Sequence, residues 1–438
     1  MIVIGAGPGG YEAAAMASKD GLNTLLIEKD LHGGTCLNRG CIPTKTLCRS
    51  AQVAADVADA AAYGIITEGP WHADLGKMHE RKEAVLAQLR EAVEAVTSGC
   101  EKVRGEARFR GQREIEVAGE VYTAPKIIIA TGSEPAVLPI PGTDLCVNSD
   151  ATLSLTELPE SLIVIGGGVI GMEFASIFSA LGTKVSVVEY CKEILPPFDR
   201  DISKRLKSAM QRRGVDFFTG SAVTEVTANA DGHRKVTFEA KGKEKSVEAQ
   251  MVLMAVGRKP VIPAGAETVG INTGRRGIEV DTQWLTSAEG VYAIGDCNGH
   301  CMLAHAASAQ AAEVMGRPVN MEVIPSAVFT MPECAMAGLT EEQCREREIP
   351  FRAVKTLFRG NGKALAMDET DGMVKLLVST TEEDAGKILG CHIMGPHAAD
   401  LITEAALAMS AGLRTGDISA TIHAHPTLSE VLLAATQS

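Results

Sequence analysis

Short runs of apolar residues alternate along the chain with longer segments in which apolar residues recur at helical spacing. The first run, at residues 2–4, leads into a glycine-rich turn, an alanine-rich helical segment and a second apolar run at residues 24–27. The same order of elements returns at residues 162–165 and 184–188. Apolar runs joined by a helix are typical of parallel strands covered on both faces. The pattern therefore predicts two βαβ units.

These two units are copies of each other in sequence. Residues 5–29 superpose on residues 166–190 with a constant offset of 161 residues. A single glycine-rich turn is weak evidence for nucleotide binding. Two copies, each with an acidic residue 23 positions after its first glycine, favour two dinucleotide sites. The matched positions are Gly5, Gly7, Gly10 and Glu28 in the first copy and Gly166, Gly168, Gly171 and Glu189 in the second.

Each position in such a turn has a physical purpose. The first glycine allows a tight turn, the second lets a pyrophosphate approach the backbone, and the third lets helix and strand pack closely. The N-terminus of the helix then faces the phosphates. The acidic residue accepts hydrogen bonds from ribose hydroxyls, and its charge repels the additional phosphate of NADP. Since Lys192 is the only cation just after Glu189, the second site is predicted to prefer NAD.

Three further apolar runs end beside a glycine. Residues 126–135 and 251–260 break at Gly132 and Gly257 and are predicted to supply the closing strand of each nucleotide half. Residues 290–297 place Asp296 at a third strand end. Taken alone, an aspartate in this position is more often a turn residue or helix cap. Beside two dinucleotide units it is interpreted as a cofactor contact, because ligands of open α/β sheets bind at the carboxyl ends of the strands.

Cys36 and Cys41 follow the first unit directly, with four residues between them. In a regular helix they would lie about 7.5 Å apart along the axis, whereas a disulfide needs Cα atoms within roughly 7 Å. If the two bond, the turn between them must be distorted, and Asn38, Gly40 and Pro43 suit that distortion. A plain stabilising disulfide or two buried thiols are the alternatives to a redox pair. The redox interpretation is favoured because a cytoplasmic protein gains little from a structural disulfide.

The segment GGTCLNRGCIPTK, residues 33–45, resembles the redox motif of the pyridine nucleotide-disulfide oxidoreductases of the glutathione reductase type. The resemblance covers the whole chain. Residues 302–305, 326–343 and 423–432 are similar to the branch of this family that contains the dihydrolipoamide dehydrogenases. The arginines typical of NADP-dependent reductases are absent near Glu189, and no cysteine pair follows Cys391, unlike the pattern of mercuric reductases.

The resemblance implies a reaction in which a substrate thiolate attacks Cys36 and Cys41 is released as a thiolate against the flavin. Lys45 and Glu173 would form an ion pair beside the flavin ring. His425, oriented by Glu430, would act as the general base and would reach the cysteine pair of a partner subunit. The implied FAD contacts are Gly5, Gly7, Gly10, Glu28, Lys45, Gly105, Thr131, Gly132, Asp296, Met302, Leu303, Ala304 and His305, and the implied NAD contacts are Gly166, Gly168, Gly171, Glu173, Glu189 and Gly257.

Composition excludes several other classes of protein. The net charge of −13 argues against a nucleic-acid surface and permits attraction to a basic protein, although ordinary solubility charge is the simpler explanation. No apolar run reaches the length of a membrane span, and the chain opens directly into its first motif, so a cytoplasmic location is expected. Eleven cysteines include no C-x-x-C pair. The Cys297, His300, Cys301 and His305 group is not expected to bind a metal.

The sequence therefore predicts an α/β protein with two Rossmann-like dinucleotide-binding domains, for FAD and NAD, and a C-terminal α+β dimerisation domain. The expected boundaries are an FAD domain at 1–145, a NAD domain at 146–271, a central domain at 272–323 that completes the FAD site, and an interface domain at 324–438. The expected substrate is a lipoyl group on an acyltransferase or a glycine cleavage carrier protein. Two alternatives stay open, a disulfide reductase for another thiol and a redox sensor without turnover. His423 is expected to be structural.

Overall fold

The computed structural model describes residues 1–437. The chain begins with a βαβ unit that is followed by a long helical hairpin and short strands. The helices of this part are α1 (Pro8–Lys19), α2 (Gly34–Arg39), α3 (Cys41–Ala58) and α4 (Leu75–Val96), and the strands are β1 (Ile2–Ile4), β2 (Leu25–Glu28), β3 (Glu101–Arg104), β4 (Arg108–Gly111), β5 (Glu114–Val117), β6 (Glu120–Thr123), β7 (Ile127–Ile129) and β8 (Ser133–Pro135).

The next part repeats the βαβ order. Its helices are α5 (Ser149–Thr152), α6 (Val169–Ala180) and α7 (Arg200–Arg212), and its strands are β9 (Ser161–Ile165), β10 (Lys184–Glu189), β11 (Asp216–Thr219), β12 (Ser221–Ala228), β13 (Arg234–Ala240), β14 (Lys243–Ala249), β15 (Met251–Met254) and β16 (Arg258–Pro260).

The rest of the chain forms a connecting segment and a second type of sheet. The connecting segment contains β17 (Thr273–Gly274), β18 (Gly277–Ile278), β19 (Val291–Ala293) and α8 (Ala304–Val314). The C-terminal part contains β20 (Ser326–Val328), β21 (Glu333–Gly338), α9 (Glu341–Glu346), β22 (Phe351–Leu357), α10 (Gly362–Ala366), β23 (Met373–Ser379), β24 (Ile388–Gly395), α11 (Ala398–Ser410), α12 (Thr415–Ala420) and α13 (Glu430–Thr436).

Two parallel sheets carry the predicted nucleotide turns. The first has the strand order β19-β7-β1-β2-β3 and the second the order β11-β10-β9-β15. The apolar residues of β1 and β9 are buried, as continuous apolar runs require of central strands. The predicted closing strands are confirmed, because β7 lies beside β1 and β15 beside β9. Strands β8 and β16 pair with each other and join the two halves.

The late strand β19 explains why the connecting segment belongs with the start of the chain. It pairs with β7 at the edge of the first parallel sheet, although the whole second βαβ unit lies between β7 and β19 in the sequence. Helix α8, which follows β19, packs along α1. We therefore propose the division of the chain at residues 145, 271 and 323, with the segment between the last two completing the first nucleotide half.

The C-terminal part is an antiparallel sheet of order β20-β21-β24-β23-β22 with helices packed against it. Strand β23 is buried along its whole length, and α11 and α13 pack against the sheet. Most apolar residues of these elements form one core. The buried side chains of Val328, Cys334, Met373 and Met394 belong instead to the core of the second parallel half. Within residues 1–437, no helix is long and apolar enough to cross a membrane.

A buried ionic cluster ties this sheet to the second parallel half. Lys375 of β23 has a side chain that is 2% exposed, and its Nζ donates to Asp199 at 2.9 Å, Asp201 at 2.8 Å and Glu341 at 2.5 Å. Burial alone would lower the pKa of Lys375, but the three carboxylates raise it. Asp199, at the N-terminus of α7, is fully buried. The ammonium therefore compensates a buried negative charge at the junction of two parts of the chain.

Replacement of Lys375 by Met is expected to destabilise the protein by about 3 kcal/mol, because the buried carboxylate of Asp199 would lose its cationic partner without gaining contact with water. Thermal unfolding of the two proteins measures the effect as a lower midpoint. Lys355→Met is the control, since Lys355 is about half exposed and pairs with the same Asp201. That change is expected to cost less than about 1 kcal/mol. Equal midpoints for the two variants would contradict the compensating role of Lys375.

Candidate active site

The two glycine-rich turns have the same backbone geometry. Gly5 and Gly166 adopt φ of +100° and +110°, in the region that favours glycine. A Cβ on either residue would lie only 2.3 or 2.4 Å from a carbonyl oxygen at the end of the closing strand. A Cβ on Gly10 or Gly171 would lie 1.9 or 2.0 Å from the carbonyl oxygen of the first glycine. No larger residue fits these four positions without a backbone shift.

The middle glycine of each turn faces open space. Gly7 and Gly168 precede α1 and α6 with φ of −72° and −75°, so their conformation does not itself require glycine. A Cβ on Gly168 would meet no atom within 4 Å, and one on Gly7 would meet only Gly34 Cα at 3.9 Å. The space in front of both helix N-termini is therefore kept clear by the missing side chains, as the approach of a pyrophosphate requires.

The acidic residues at the ends of β2 and β10 are also held alike. Glu28 accepts hydrogen bonds from the backbone N–H of Ala6 at 2.7 Å and of Asp30 at 2.9 Å. Glu189 accepts the corresponding bonds from Gly167 and from Cys191. Each carboxylate is thus fixed beside its own glycine turn by two backbone donors. The duplication predicted from sequence extends to the hydrogen bonds of the two nucleotide halves.

One cavity of about 1590 Å³ connects the two halves. A cavity of this size is larger than that of an ordinary drug-sized ligand and suits an extended dinucleotide. Of the site residues predicted from sequence, Gly10, Gly166, Gly171, Glu189, His425 and Glu430 do not line it. Those that line it are Gly5, Gly7, Glu28, Cys36, Cys41, Lys45, Gly105, Thr131, Gly132, Gly168, Glu173, Gly257, Asp296, Met302, Leu303, Ala304 and His305.

Cys36 and Cys41 lie on opposite sides of a helix break in this cavity. Cys36 is in α2 and Cys41 begins α3, and Gly40 interrupts the helix between them with φ −138° and ψ −113°. A Cβ on Gly40 would approach the Thr35 carbonyl oxygen to 2.9 Å. The distortion expected between the two cysteines is therefore present, and it occurs at Gly40.

The two thiols are free in the structure and differ in acidity. Their hydrogen bond raises the pKa of Cys36 and, with further help from the charge of Lys45, lowers the pKa of Cys41 to about 7. Burial acts in the opposite direction on Cys41. Cys41 is therefore the sulfur that carries a negative charge most easily, and a thiolate of low pKa is the better leaving group in disulfide exchange.

Lys45 and Glu173 form an ion pair, as the family resemblance implies, and both line the cavity that contains the cysteines. Lys45 Nζ lies 2.8 Å from both carboxylate oxygens of Glu173, whose side chain is 4% exposed. Burial alone would lower the pKa of Lys45, but Glu173 raises it. The Phe329 ring centroid lies 4.6 Å from Nζ, and the Phe329 N–H donates to Glu173 at 3.0 Å. The C-terminal part of the chain thus helps to fix this pair.

Asp296 takes part in a hydrogen-bond chain that the sequence did not predict. Ser133 Oγ donates to Asp296 Oδ2 at 2.5 Å and accepts from Arg258 Nε at 2.7 Å. Arg258 also donates to the Ser133 carbonyl oxygen at 2.6 Å. The three residues come from three distant parts of the chain, and pairing of β8 with β16 brings two of them together. In the sequence, the only indication of this contact was that β8 and β16 each begin directly after a glycine, Gly132 and Gly257.

His425 and Glu430 form a dyad away from the cavity. His425 Nδ1 lies 2.9 Å from Glu430 Oε1, and the imidazole side chain is 77% exposed. Glu430 Oε2 accepts from the Thr427 N–H at 2.8 Å. That bond and the one to His425 lower the pKa of Glu430. The structure thus brings the dyad together, but it does not bring His425 to the cysteines of its own chain.

Comparison with known proteins identifies the family of this chain. A family model described as pyridine nucleotide-disulphide oxidoreductase matches residues 1–311, and one for the dimerisation domain of that family matches residues 324–436. The chain belongs to the pyridine nucleotide-disulphide oxidoreductases. Proteins named dihydrolipoyl dehydrogenase from Geobacillus stearothermophilus and Bacillus subtilis are 40% and 39% identical to it, each over 100% of this chain and 95% of the relative.

Solved structures agree with this assignment. The chain is similar to the HOCl-induced flavoprotein disulfide reductase RclA from Escherichia coli, with a TM-score of 0.87 and 28% identity over 100% of this chain and 99% of that one. A Cu(II) complex of that reductase matches with the same TM-score of 0.87 and the same 28% identity, over 100% of this chain and 99% of that one.

Membership of the family makes the chain an FAD-dependent oxidoreductase that also uses NAD(H), and its dimerisation domain makes it a homodimer. The cavity fits both cofactors. Two clear spaces lie before the helix N-termini, each beside a fixed carboxylate. The cysteine pair lines the same cavity as Gly7 and Gly168. The first turn with Asp296 would hold FAD, and the second turn with Glu189 would hold NAD.

Proposed function

We propose that this protein is a dihydrolipoyl dehydrogenase, which oxidises protein-bound dihydrolipoamide with NAD+ through Cys36 and Cys41. One observation carries the proposal. The cysteine pair, with one sulfur of lowered pKa, shares a cavity with the Lys45–Glu173 pair and with both dinucleotide turns. The relatives named dihydrolipoyl dehydrogenase, which match along the full chain, support the choice of substrate.

In the proposed reaction, His425 accepts a proton from one thiol of dihydrolipoamide, and the resulting thiolate attacks Cys36 of the oxidised pair. The Cys36–Cys41 bond breaks, and Cys41 leaves as a thiolate stabilised by Lys45. The second substrate thiol then attacks the substrate sulfur that is bound to Cys36, and lipoamide closes its own disulfide. The proton of this second thiol passes to Cys36 as Cys36 leaves, and the first proton stays on His425. Bound FAD supplies the two-electron chemistry that links the dithiol to NAD+.

The position of His425 supports a site built from two subunits. Its imidazole is largely exposed in the single chain and does not line the cavity that contains the cysteines. A base must lie within hydrogen-bond reach of the proton that it accepts. We infer that the partner subunit's copy of this dyad completes each site, since the chain is a homodimer.

The wild-type protein is expected to prefer NADH strongly over NADPH. Glu189 is buried and negatively charged beside the second glycine turn, and a carboxylate there repels the extra phosphate of NADPH. The ratio of kcat/KM for the two nucleotides, with lipoamide as the acceptor, measures the preference. Glu189→Gln, which keeps the shape and removes the charge, should reduce the ratio. Equal kcat/KM values in the wild-type protein would contradict the assignment of Glu189.

The physiological substrate is proposed to be the lipoyl group of a separate protein. An acyltransferase of a 2-oxo acid dehydrogenase complex and the carrier protein of the glycine cleavage system both present such a group. The proposed location is the cytoplasm. Assays with a purified lipoyl domain of each type would show which carrier gives the higher kcat/KM.

Comparison of oxidised substrates tests the function itself. The holoenzyme is assayed with NADH and either lipoamide, glutathione disulfide or Cu(II), the last because of the similar reductase that was solved as a Cu(II) complex. The proposal predicts that lipoamide is reduced with the highest kcat/KM. A higher value with glutathione disulfide or Cu(II) would favour a reductase for another substrate. No turnover with any acceptor, despite bound FAD, would favour a redox sensor.

A further inference from the structure

His423 lies two residues before the proposed base and is held from two sides. Its side chain is only 5% exposed. Its Nδ1 lies 2.9 Å from the Thr421 carbonyl oxygen, and its Nε2 lies 2.9 Å from Glu404 Oε1 of helix α11. Sequence analysis assigns His423 a structural role only. Glu404, 19 residues away along the chain, cannot be connected with it from spacing.

These two contacts favour one protonation state of the ring. A carbonyl oxygen and a carboxylate oxygen only accept hydrogen bonds, so both ring nitrogens of His423 must donate. A neutral imidazole has one N–H, whereas the imidazolium has two. Burial alone would lower the pKa of His423, but the Thr421 carbonyl and the Glu404 carboxylate raise it above its ordinary value. The geometry and the electrostatics therefore both favour the protonated ring.

The charged groups around His423 connect it to the dyad. The acidic groups that face it are Glu404 of α11 and Glu430 of α13. Glu430 is the residue that accepts from His425, and its pKa is lowered first by the Thr427 N–H and the bond to His425 and further by the charge of His423. One carboxylate thus lies within electrostatic reach of two histidines, one that is exposed and one that is enclosed.

We propose that His423 is a positioning residue that remains an imidazolium at neutral pH and keeps His425 in the neutral form that accepts a proton. His423 precedes His425 by two residues and acts on the same Glu430, and a positive charge there disfavours a second imidazolium at His425. A general base must be neutral when the substrate binds. The hydrogen bonds to Thr421 and Glu404 also fix the turn that carries His425. The inference about His425 rests on the proposed function, whereas the charge on His423 does not.

The charge is tested first without any assay of activity. The intact dimer is labelled at histidine with 13C and 15N, and the imidazole resonances are followed by NMR from pH 5 to pH 9. The resonance that is missing from His423→Gln is expected to keep imidazolium shifts above the pH at which an ordinary histidine titrates, about 6.5. Glu404→Gln should lower the pH at which it titrates. Titration of the wild-type resonance at or below about 6.5 would overturn the proposal.

The effect on the base is tested by the pH dependence of kcat/KM for dihydrolipoamide. In His423→Gln the acidic limb of the profile should move to higher pH by about 0.5 unit, the size expected from one nearby charge that is partly screened. His423→Lys keeps a cation, so its acidic limb should stay close to that of the wild-type protein. His233→Gln, which removes an exposed histidine between β12 and β13, is the control and should leave the profile unchanged.

The outcomes separate the two proposals. If His423→Gln lowers the plateau of kcat/KM but leaves the acidic limb of the pH profile in place, the histidine is purely structural and the inference is overturned. The same shift in His423→Gln and His423→Lys would also overturn it, because the cation would then not be the cause. If the wild-type protein fails to oxidise dihydrolipoamide while the NMR titration shows the imidazolium, the proposed function fails and the charge on His423 stands.

Discussion

Replacement of His425 by Gln is expected to lower kcat for dihydrolipoamide oxidation by about 10²- to 10⁴-fold, the usual contribution of a general base. Gln can still form a hydrogen bond with Glu430 but cannot accept a proton. The FAD content should stay normal, because His425 does not line the cofactor cavity. Steady-state kinetics and the visible absorbance of the purified variant measure the two quantities.

Glu430→Ala provides the graded comparison. Glu430 orients the imidazole through its 2.9 Å contact and does not itself receive the substrate proton, so its loss should reduce kcat by less. His233→Gln should have no effect on kcat. A His425→Gln enzyme that keeps at least a third of the wild-type kcat would contradict the assignment of His425 as the base.

Mixing two inactive variants is expected to restore activity if each site uses residues of both subunits. Cys36→Ser chains lack the attacked sulfur, and His425→Gln chains lack the base. In a heterodimer of the two, one site combines Cys36 of one subunit with the His425 of the other, and that site is intact. Random reassembly makes half of the dimers heterodimers, each with one working site of two.

The experiment uses differently tagged chains that are unfolded, mixed and refolded with FAD, followed by isolation of the doubly tagged dimers. The doubly tagged dimers should recover about half of the wild-type turnover per dimer, against almost none for either parent. Refolding of each variant alone is the control. Verified heterodimers that stay inactive, from a protocol that restores the refolded wild-type protein, would show that His425 acts within its own chain.

The nucleotide halves could be predicted from sequence because their determinants are local. A tight turn, a clear space before a helix and a close helix–strand contact each require glycine, and the three positions recur at fixed spacing in both copies. The acidic residue at the strand end is equally local. The cysteine pair and the break at Gly40 could be predicted for the same reason, since they lie within one short segment.

The remaining features depend on contacts between distant segments, which spacing does not reveal. The Ser133–Asp296 hydrogen bond joins residues 163 positions apart, and Lys375 meets Asp199 across 176 positions. The charge on His423 escapes sequence analysis because its partner, Glu404, belongs to another helix. Family resemblance assigns the base to the C-terminal part and to the cysteine pair of a partner subunit, and the fold adds that His425 is exposed and lies apart from the cavity in its own chain.

The most direct measurement of the central claim is a disulfide map of the protein before and after reaction with dihydrolipoamide. The oxidised holoenzyme is alkylated, digested and analysed by mass spectrometry, and the same is done after anaerobic addition of dihydrolipoamide without NAD+. The account predicts that a Cys36–Cys41 disulfide is present in the first sample and that both cysteines are alkylated in the second. The other nine of the eleven cysteines should show no redox change. A Cys36–Cys41 pair that stays oxidised under dihydrolipoamide, or a change confined to other cysteines, would contradict it.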